Sequence, residues 1–338
     1  MPSKGGQNPR RLPTRYLWTI LTVVLISSGL SLPMIQRLRS REANAAMLAT
    51  PAPIDGARAY NYLKEICELG SRPAGSEANA RERAVLTKHF QAKGAKVVEQ
   101  PFTATDPRSG ARVSMANLVA SWHPERKDRV LLGVHYDTRP FPDEERDPAK
   151  RSIPFIGAND PASGMALLME IANHMEKLVT PWGVDLVLFD GEELVYGREG
   201  EYFLGSKEFA RVYQVGMESR TLPYRYAAGI VLDLIGGRNL KLPQEENSVN
   251  LAPGLVREIW TVARGLKATA FRSQVGQAVL DDHMPLNNAG IPTIDIIDFE
   301  YPHWHKSSDT PDKCSAASLE QVGRVVTAWL AQPRRKTR

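Results

Sequence analysis

VDLVLFDGEELVY, residues 184–196, opens with five apolar, β-favouring residues in six positions: Val184, Leu186, Val187, Leu188 and Phe189. Such a run reads as a strand buried on both faces. It ends in Asp190, Gly191, Glu192 and Glu193. Carboxylates at the carboxyl end of a buried strand sit where open α/β sheets bind their ligands. Neighbouring side chains diverge there, so one can bind a metal while the other handles a proton. A solvated acidic turn is the plainer reading of a Glu-Glu pair, and this stretch alone does not separate the two.

Working outward, Ala95–Phe102, Arg112–Trp122, Arg129–Val134, Tyr226–Ile235 and Thr293–Ile297 also read as strands. Helical periodicity covers Asp55–Leu69, Glu77–Lys93, Ala162–Leu178, Ser206–Val212, Leu255–Leu266 and Ala316–Leu330. Strands alternating with helices predict an α/β fold, a three-layer sandwich around a central, mostly parallel mixed sheet. One catalytic body is expected over 54–338, with no internal repeat. The polar loop Arg139–Pro154, beside a strand end, is long enough to be functional or mobile.

The chain has 338 residues and a formal charge of +5, unevenly placed. Residues 1–42 hold seven basic side chains against Glu42 alone, a local +6, which leaves about −1 for the rest. Nothing in that balance points to nucleic-acid binding by the body. After a basic tail, 1–15, comes an uncharged apolar run, Tyr16–Ile35, long enough to span a bilayer as a helix. Arg10, Arg11 and Arg15 before it would hold the amino terminus in the cytoplasm and export the body beyond it. An uncleaved membrane anchor with a linker at 36–53 is the favoured reading. A cleaved signal peptide is the alternative, since Ala43-Asn44-Ala45 resembles a cleavage site. Either way the body is exported, so a disulfide between the only cysteines, Cys67 and Cys314, is permitted but not required.

His135, Asp137, Asp160, Glu192, Glu193, Asp233, Asp281 and His305 all fall at predicted strand ends or in the loops just beyond. Gathered in one place, so many acids would repel one another without a cation. Mixed imidazole and carboxylate donors with no thiolate suit zinc, and three protein ligands plus an open position describe a catalytic site.

In order along the chain, HYD (135–137), GANDPASG (157–164), FDGEE (189–193), LDLIG (232–236), DDHMP (281–285) and WH (304–305) make the body resemble the zinc aminopeptidase and glutaminyl cyclase superfamily. The resemblance implies an α/β fold with the metal above the strands' carboxyl ends. Its co-catalytic aminopeptidases would hold two zincs through His135, Asp160, Glu193, Asp233 and His305, with Asp137 orienting His135 and Glu192 activating water. Its glutaminyl cyclases would hold one zinc through Asp160, Glu193 and His305, with Asp233 and Asp281 hydrogen-bonded to the general acid/base Glu192.

LDLIG, the doubled acid of DDHMP and Trp304 beside His305 resemble the cyclase branch. The resemblance therefore implies a zinc-dependent cyclotransferase acting on peptides with N-terminal Gln and releasing ammonia; the alternative is a di-zinc aminopeptidase. Trp304 and Tyr301, with Phe299, are the expected substrate wall. Two positions depart from the animal cyclases. Tyr196-Gly197-Arg198 stands where they carry a pocket tryptophan, and Asp295 where they place a His. Both imply a bacterial-type variant with a rebuilt pocket rim.

Overall fold

A computed structural model describes residues 49–333. The basic tail, the expected anchor at 16–35 and the first part of the linker lie outside those residues. Among the described residues, no helix is long and apolar enough to cross a membrane.

Six strands form the central sheet: β1 (Lys96–Thr105), β2 (Arg112–Trp122), β3 (Asp128–His135), β4 (Gly183–Phe189), β7 (Arg225–Asp233) and β10 (Thr293–Ile297). Their order is β1-β2-β4-β3-β7-β10. β1 and β2 run antiparallel to their neighbours. β4, β3, β7 and β10 are mutually parallel, so their carboxyl ends share one edge of the sheet. Short pairs β5 (Val195–Tyr196) with β6 (Glu199–Gly200), and β8 (Leu242–Gln244) with β9 (Phe271–Val275), stand apart from it.

Eight helices are described: α1 (Gly56–Cys67), α2 (Glu77–Ala92), α3 (Ala162–Ala172), α4 (Leu204–Glu218), α5 (Glu246–Leu251), α6 (Pro253–Gly265), α7 (His283–Asn288) and α8 (Ala316–Leu330). Asp55, Ser76 and Ser315 cap α1, α2 and α8 by accepting a backbone N–H three residues on. On one side of the sheet α1, α3 and α8 pack together, and on the other α4 packs with α7. Alternation in the strands supplies both layers. Leu131, Val187, Phe189 and Val231 meet Phe209, Tyr213 and Leu286 in one buried cluster, each such side chain contributing roughly 1.5–3 kcal/mol by leaving water. On the opposite face, α3 approaches the sheet at Gly164. A Cβ there would lie 2.5 Å from Val134 and 2.7 Å from the Leu232 carbonyl.

The one polar residue of the central strand, Asp185, is buried and fully engaged. Arg129 donates two hydrogen bonds to it (2.7 and 2.6 Å), and Ser121 and Tyr226 donate one each. Most element boundaries shift from expectation, three of them near the site or its supporting helices. The helix expected to Leu178 ends at Ala172, and the one expected over Ser206–Val212 runs Leu204–Glu218. The strand expected to Ile235 stops at Asp233, because Leu234 takes a left-handed φ of 52° and turns the chain. Cys67 and Cys314 are both buried free thiols. Burial pushes the Cys67 thiol up to about 12.

Candidate active site

Four parallel strands deliver the acids and imidazoles to one place. His135 ends β3, Glu192 and Glu193 follow β4, Asp233 ends β7, and His305 lies on the loop after β10. Asp160 comes from the turn into α3, and Asp281 from the segment before α7. Two glycines make the backbone path possible. Gly157 has φ +61°, and a Cβ on it would lie 2.1 Å from the Asp160 carbonyl oxygen. Gly191 has φ +71°, and a Cβ there would strike the Met115 sulfur at 2.5 Å.

These residues line a cavity of about 300 Å³. His305 Nε2 lies 2.8 Å from Glu193 Oε1 and 3.5 Å from Asp160 Oδ2. His135 Nε2 lies 3.1 Å from Asp160 Oδ1 and 3.5 Å from Asp233 Oδ1. Ligand atoms of His135, Asp160 and Glu193 fall within 4.8 Å of one another. Glu193 Oε2 is buried and has no hydrogen-bond partner, an orphan acceptor that a cation would satisfy. With nitrogen and carboxylate oxygens as donors, the set fits zinc.

Burial alone would raise every carboxyl here, and the neighbours decide the outcome. Burial raises Glu193, but His305 and Arg139 outweigh it and hold the carboxyl at about 2. Glu192 goes the other way. Burial drives its pKa well above the ordinary value, His135 offsets part of that, and Glu193, Asp282 and Asp281 add to it. Asp233 is pushed to about 7 by burial and by Asp160, despite His135. His305 sits at about 9: burial lowers it, while Glu193 and Asp143 raise it further.

The resemblance gave Asp137 the role of orienting His135, and its Oδ1 stands 4.0 Å from His135 Nδ1. The Asp137 carboxylate accepts the backbone N–H groups of Glu192 (2.9 Å) and Glu193 (3.0 Å). His135 Nδ1 contacts the Asp137 carbonyl oxygen at 3.1 Å. Asp137 therefore fixes the turn that aims both glutamates. Tyr301, expected in the substrate wall, does not line the cavity. It is buried outside the cavity wall and donates to Asp309 at 2.8 Å. Asp309 also accepts the backbone N–H groups of Asn159 and Asp160, so Tyr301 supports the Asp160 turn. Trp304 and Phe299 do line the cavity, with Phe203, Val279, Leu280 and Ile297. The Trp304 ring stacks on His305 at 3.8 Å. Asp281 and Asp233 both reach the cavity; Asp233 accepts the Leu234 N–H at 2.8 Å.

Arg139 and Asp143 were missed as individual residues. Arg139 is buried, with Nη1 3.2 Å from Glu193 Oε1, and it donates twice to Asp143. Asp143 Oδ1 in turn lies 3.3 Å from His305 Nδ1, the carboxylate–imidazole contact that orients a ligating histidine. Only the length of the 139–154 loop pointed to them. Tyr196 lies away from the cavity and donates to Asp106. Tyr202 and Phe203 line the cavity.

Comparison with known proteins gives the family. The model of peptidase family M28 matches residues 117–330. A solved glutaminyl cyclase from Fimbriiglobus ruber is 42% identical with a TM-score of 0.81, covering 84% of this chain and 97% of that one. A leucine aminopeptidase precursor from Bacteroides thetaiotaomicron is 29% identical with a TM-score of 0.78, covering 85% and 100%. The glutaminyl-peptide cyclotransferase-like protein of Mus musculus is 25% identical over 77% of this chain and 72% of its own length. The chain belongs to peptidase family M28, in its glutaminyl cyclase branch.

Proposed function

We propose that the protein is a zinc-dependent glutaminyl-peptide cyclotransferase that converts N-terminal Gln of peptides to pyroglutamate. The observation that carries this reading is a buried carboxyl, Glu192, held beside a convergent Asp160, Glu193 and His305 set under an apolar wall. Those three residues would hold one zinc ion, which when bound supplies Lewis acidity toward the Gln side-chain carbonyl. His135 and Asp233 are the residues a second ion would need.

Glu192 accepts the proton as the substrate's α-amine bonds to its own side-chain carbonyl carbon, and it passes a proton to the departing ammonia. Its raised pKa suits both halves of that exchange. Asp281 adds to that elevation, and Asp233 lines the same cavity. Because the nucleophile belongs to the substrate, the cavity's task is to fold the Gln side chain back on its amine. Trp304 and Phe299 present the apolar surface against which its methylenes would pack. The segment 16–35 would anchor this activity to a membrane, with the body on the exported side.

Incubation with a Gln-initiated peptide, read by mass spectrometry, tests the assignment. Loss of one ammonia per peptide is expected, and release of a free amino acid would establish the aminopeptidase instead. Glu192→Gln should cut turnover by about 10²–10⁴ while bound zinc, measured by elemental analysis, stays unchanged.

A further inference from the structure

The loop 139–154 does more than back the metal-ligand candidates. With the turn between β1 and β2 and the β5–β6 pair it borders a second groove of about 480 Å³, whose walls include Arg108, Phe141, Asp143, Arg151, Val195 and Tyr196. This groove shares a wall with the catalytic cavity. Asp143 Oδ1 lies 3.3 Å from His305 Nδ1, and Val195 follows Glu193 by two residues. Arg139 ties the two spaces together, donating twice to Asp143 and once to the hydroxyl of Tyr202 in the cavity wall.

Positive charge is held in place here. Asp106 Oδ1 accepts the backbone N–H groups of Arg108 (2.9 Å) and Ser109 (2.7 Å), and its other oxygen accepts from the Tyr196 hydroxyl (3.0 Å). That turn sets the Arg108 guanidinium 4.3 Å from the Tyr196 ring centroid and 5.9 Å from that of Phe141. Contact with aromatic rings steadies a guanidinium and leaves its forked N–H donors for a carboxylate. Arg151 donates through Nε to the Glu145 carbonyl oxygen at 2.8 Å, and Glu145 is itself pinned by Ser307. Both arginines are exposed. Among the described residues no carboxylate pairs with either guanidinium, and the one acid lining the groove, Asp143, is engaged by Arg139 and His305. Two cations beside two aromatic rings, with no counter-charge of their own, complement an acidic side chain.

We propose that this groove receives an aspartate or glutamate side chain of the substrate peptide, a few residues beyond its N-terminal Gln. The inference rests on the cyclase reading. With the first residue in the cavity, the following ones must run out over its rim. Extended chain advances about 3.3 Å per residue, so the second to fifth residues come within reach of an adjoining groove. The acid adds binding that is equal in the ground and transition states, and such binding shows in KM and not in kcat.

Short Gln-initiated peptides, otherwise neutral, test this with Glu, Gln or Lys walked through the second to fifth positions. At one or two of those positions Glu should raise kcat/KM about 2- to 10-fold over Gln, through KM with kcat unchanged, and Lys should lower it. Arg108→Glu should cancel that advantage while turnover of the all-neutral peptide stays as in wild type. If that variant does not fold, Arg151→Gln takes its place and should shrink the advantage. Equal kcat/KM for Glu, Gln and Lys at every position would overturn the proposal and leave the cyclase reading intact. An advantage that survives in both variants would overturn it equally. Release of free amino acids, or no turnover of any peptide, would defeat the cyclase reading and this proposal with it.

Discussion

Asp137→Asn isolates the turn that aims Glu192 and Glu193. In the native site two backbone N–H groups donate to one buried carboxylate, at 2.9 and 3.0 Å. Asparagine keeps one acceptor oxygen and sets an amide donor against the other N–H. The N–H facing the new amide loses its bond to the carboxylate and stays buried without an acceptor, about 1.5–3 kcal/mol. That corresponds to a fall in Tm of roughly 3–12 °C for a domain of this size. The same relaxation moves two adjacent functional carboxylates, and a misplacement of about 1 Å costs on the order of 10²-fold in rate. Thermal unfolding followed by circular dichroism and turnover measured well below the new Tm would read the two effects separately. A variant within about 2 °C and threefold in turnover of wild type would refute the idea that this carboxylate holds the turn.

Trp304→Ala removes the ring stacked on His305 and part of the apolar wall. Stacking of this kind is worth about 0.5–1.5 kcal/mol, so kcat/KM for a Gln-initiated peptide should fall about 2- to 12-fold, with Trp304→Phe recovering part of the loss. Glu170 on α3 accepts two hydrogen bonds from Arg58 and the Asp55 N–H, binding α3 to α1. Burial raises its pKa, but those donors and His174 outweigh it and leave the carboxyl below its ordinary 4.5. A depressed carboxylate stabilises the fold above the unfolded value and loses that contribution as pH falls through the folded one. Urea midpoints should therefore drop as pH is taken below 4.5, and Glu170→Gln should flatten that dependence.

Much of the architecture was legible because buried strands leave a plain signal. All six strands of the central sheet were expected from apolar runs, and the acidic residues stood at their carboxyl ends. Asp160, Glu193 and His305 came from the family resemblance, and His305 Nε2 lies 2.8 Å from Glu193 and 3.5 Å from Asp160. What the pattern could not show was which atom a buried carboxylate would face. The aminopeptidase resemblance implied an imidazole partner for Asp137, whose Oδ1 stands 4.0 Å from His135 Nδ1; the turn after β4 brings two N–H groups closer still. Tyr301 reads as a wall residue from its neighbour Trp304, yet its hydroxyl is drawn to Asp309 on the far side of the loop. Arg139 and Asp143 lie in a loop with no periodicity, where only tertiary contact reveals a role.

Because His135, Asp160, Glu193 and Asp233 all come from the contiguous stretch β3 to β7 while His305 lies on the loop after β10, the last strand of the sheet completes the set. Asp160, Glu193 and His305 become neighbours only once the crossovers on both faces of the sheet have closed. A body truncated before β10 would keep Asp160 and Glu193 but lack His305. Metal retention is in that sense a report on whether the whole sheet has formed.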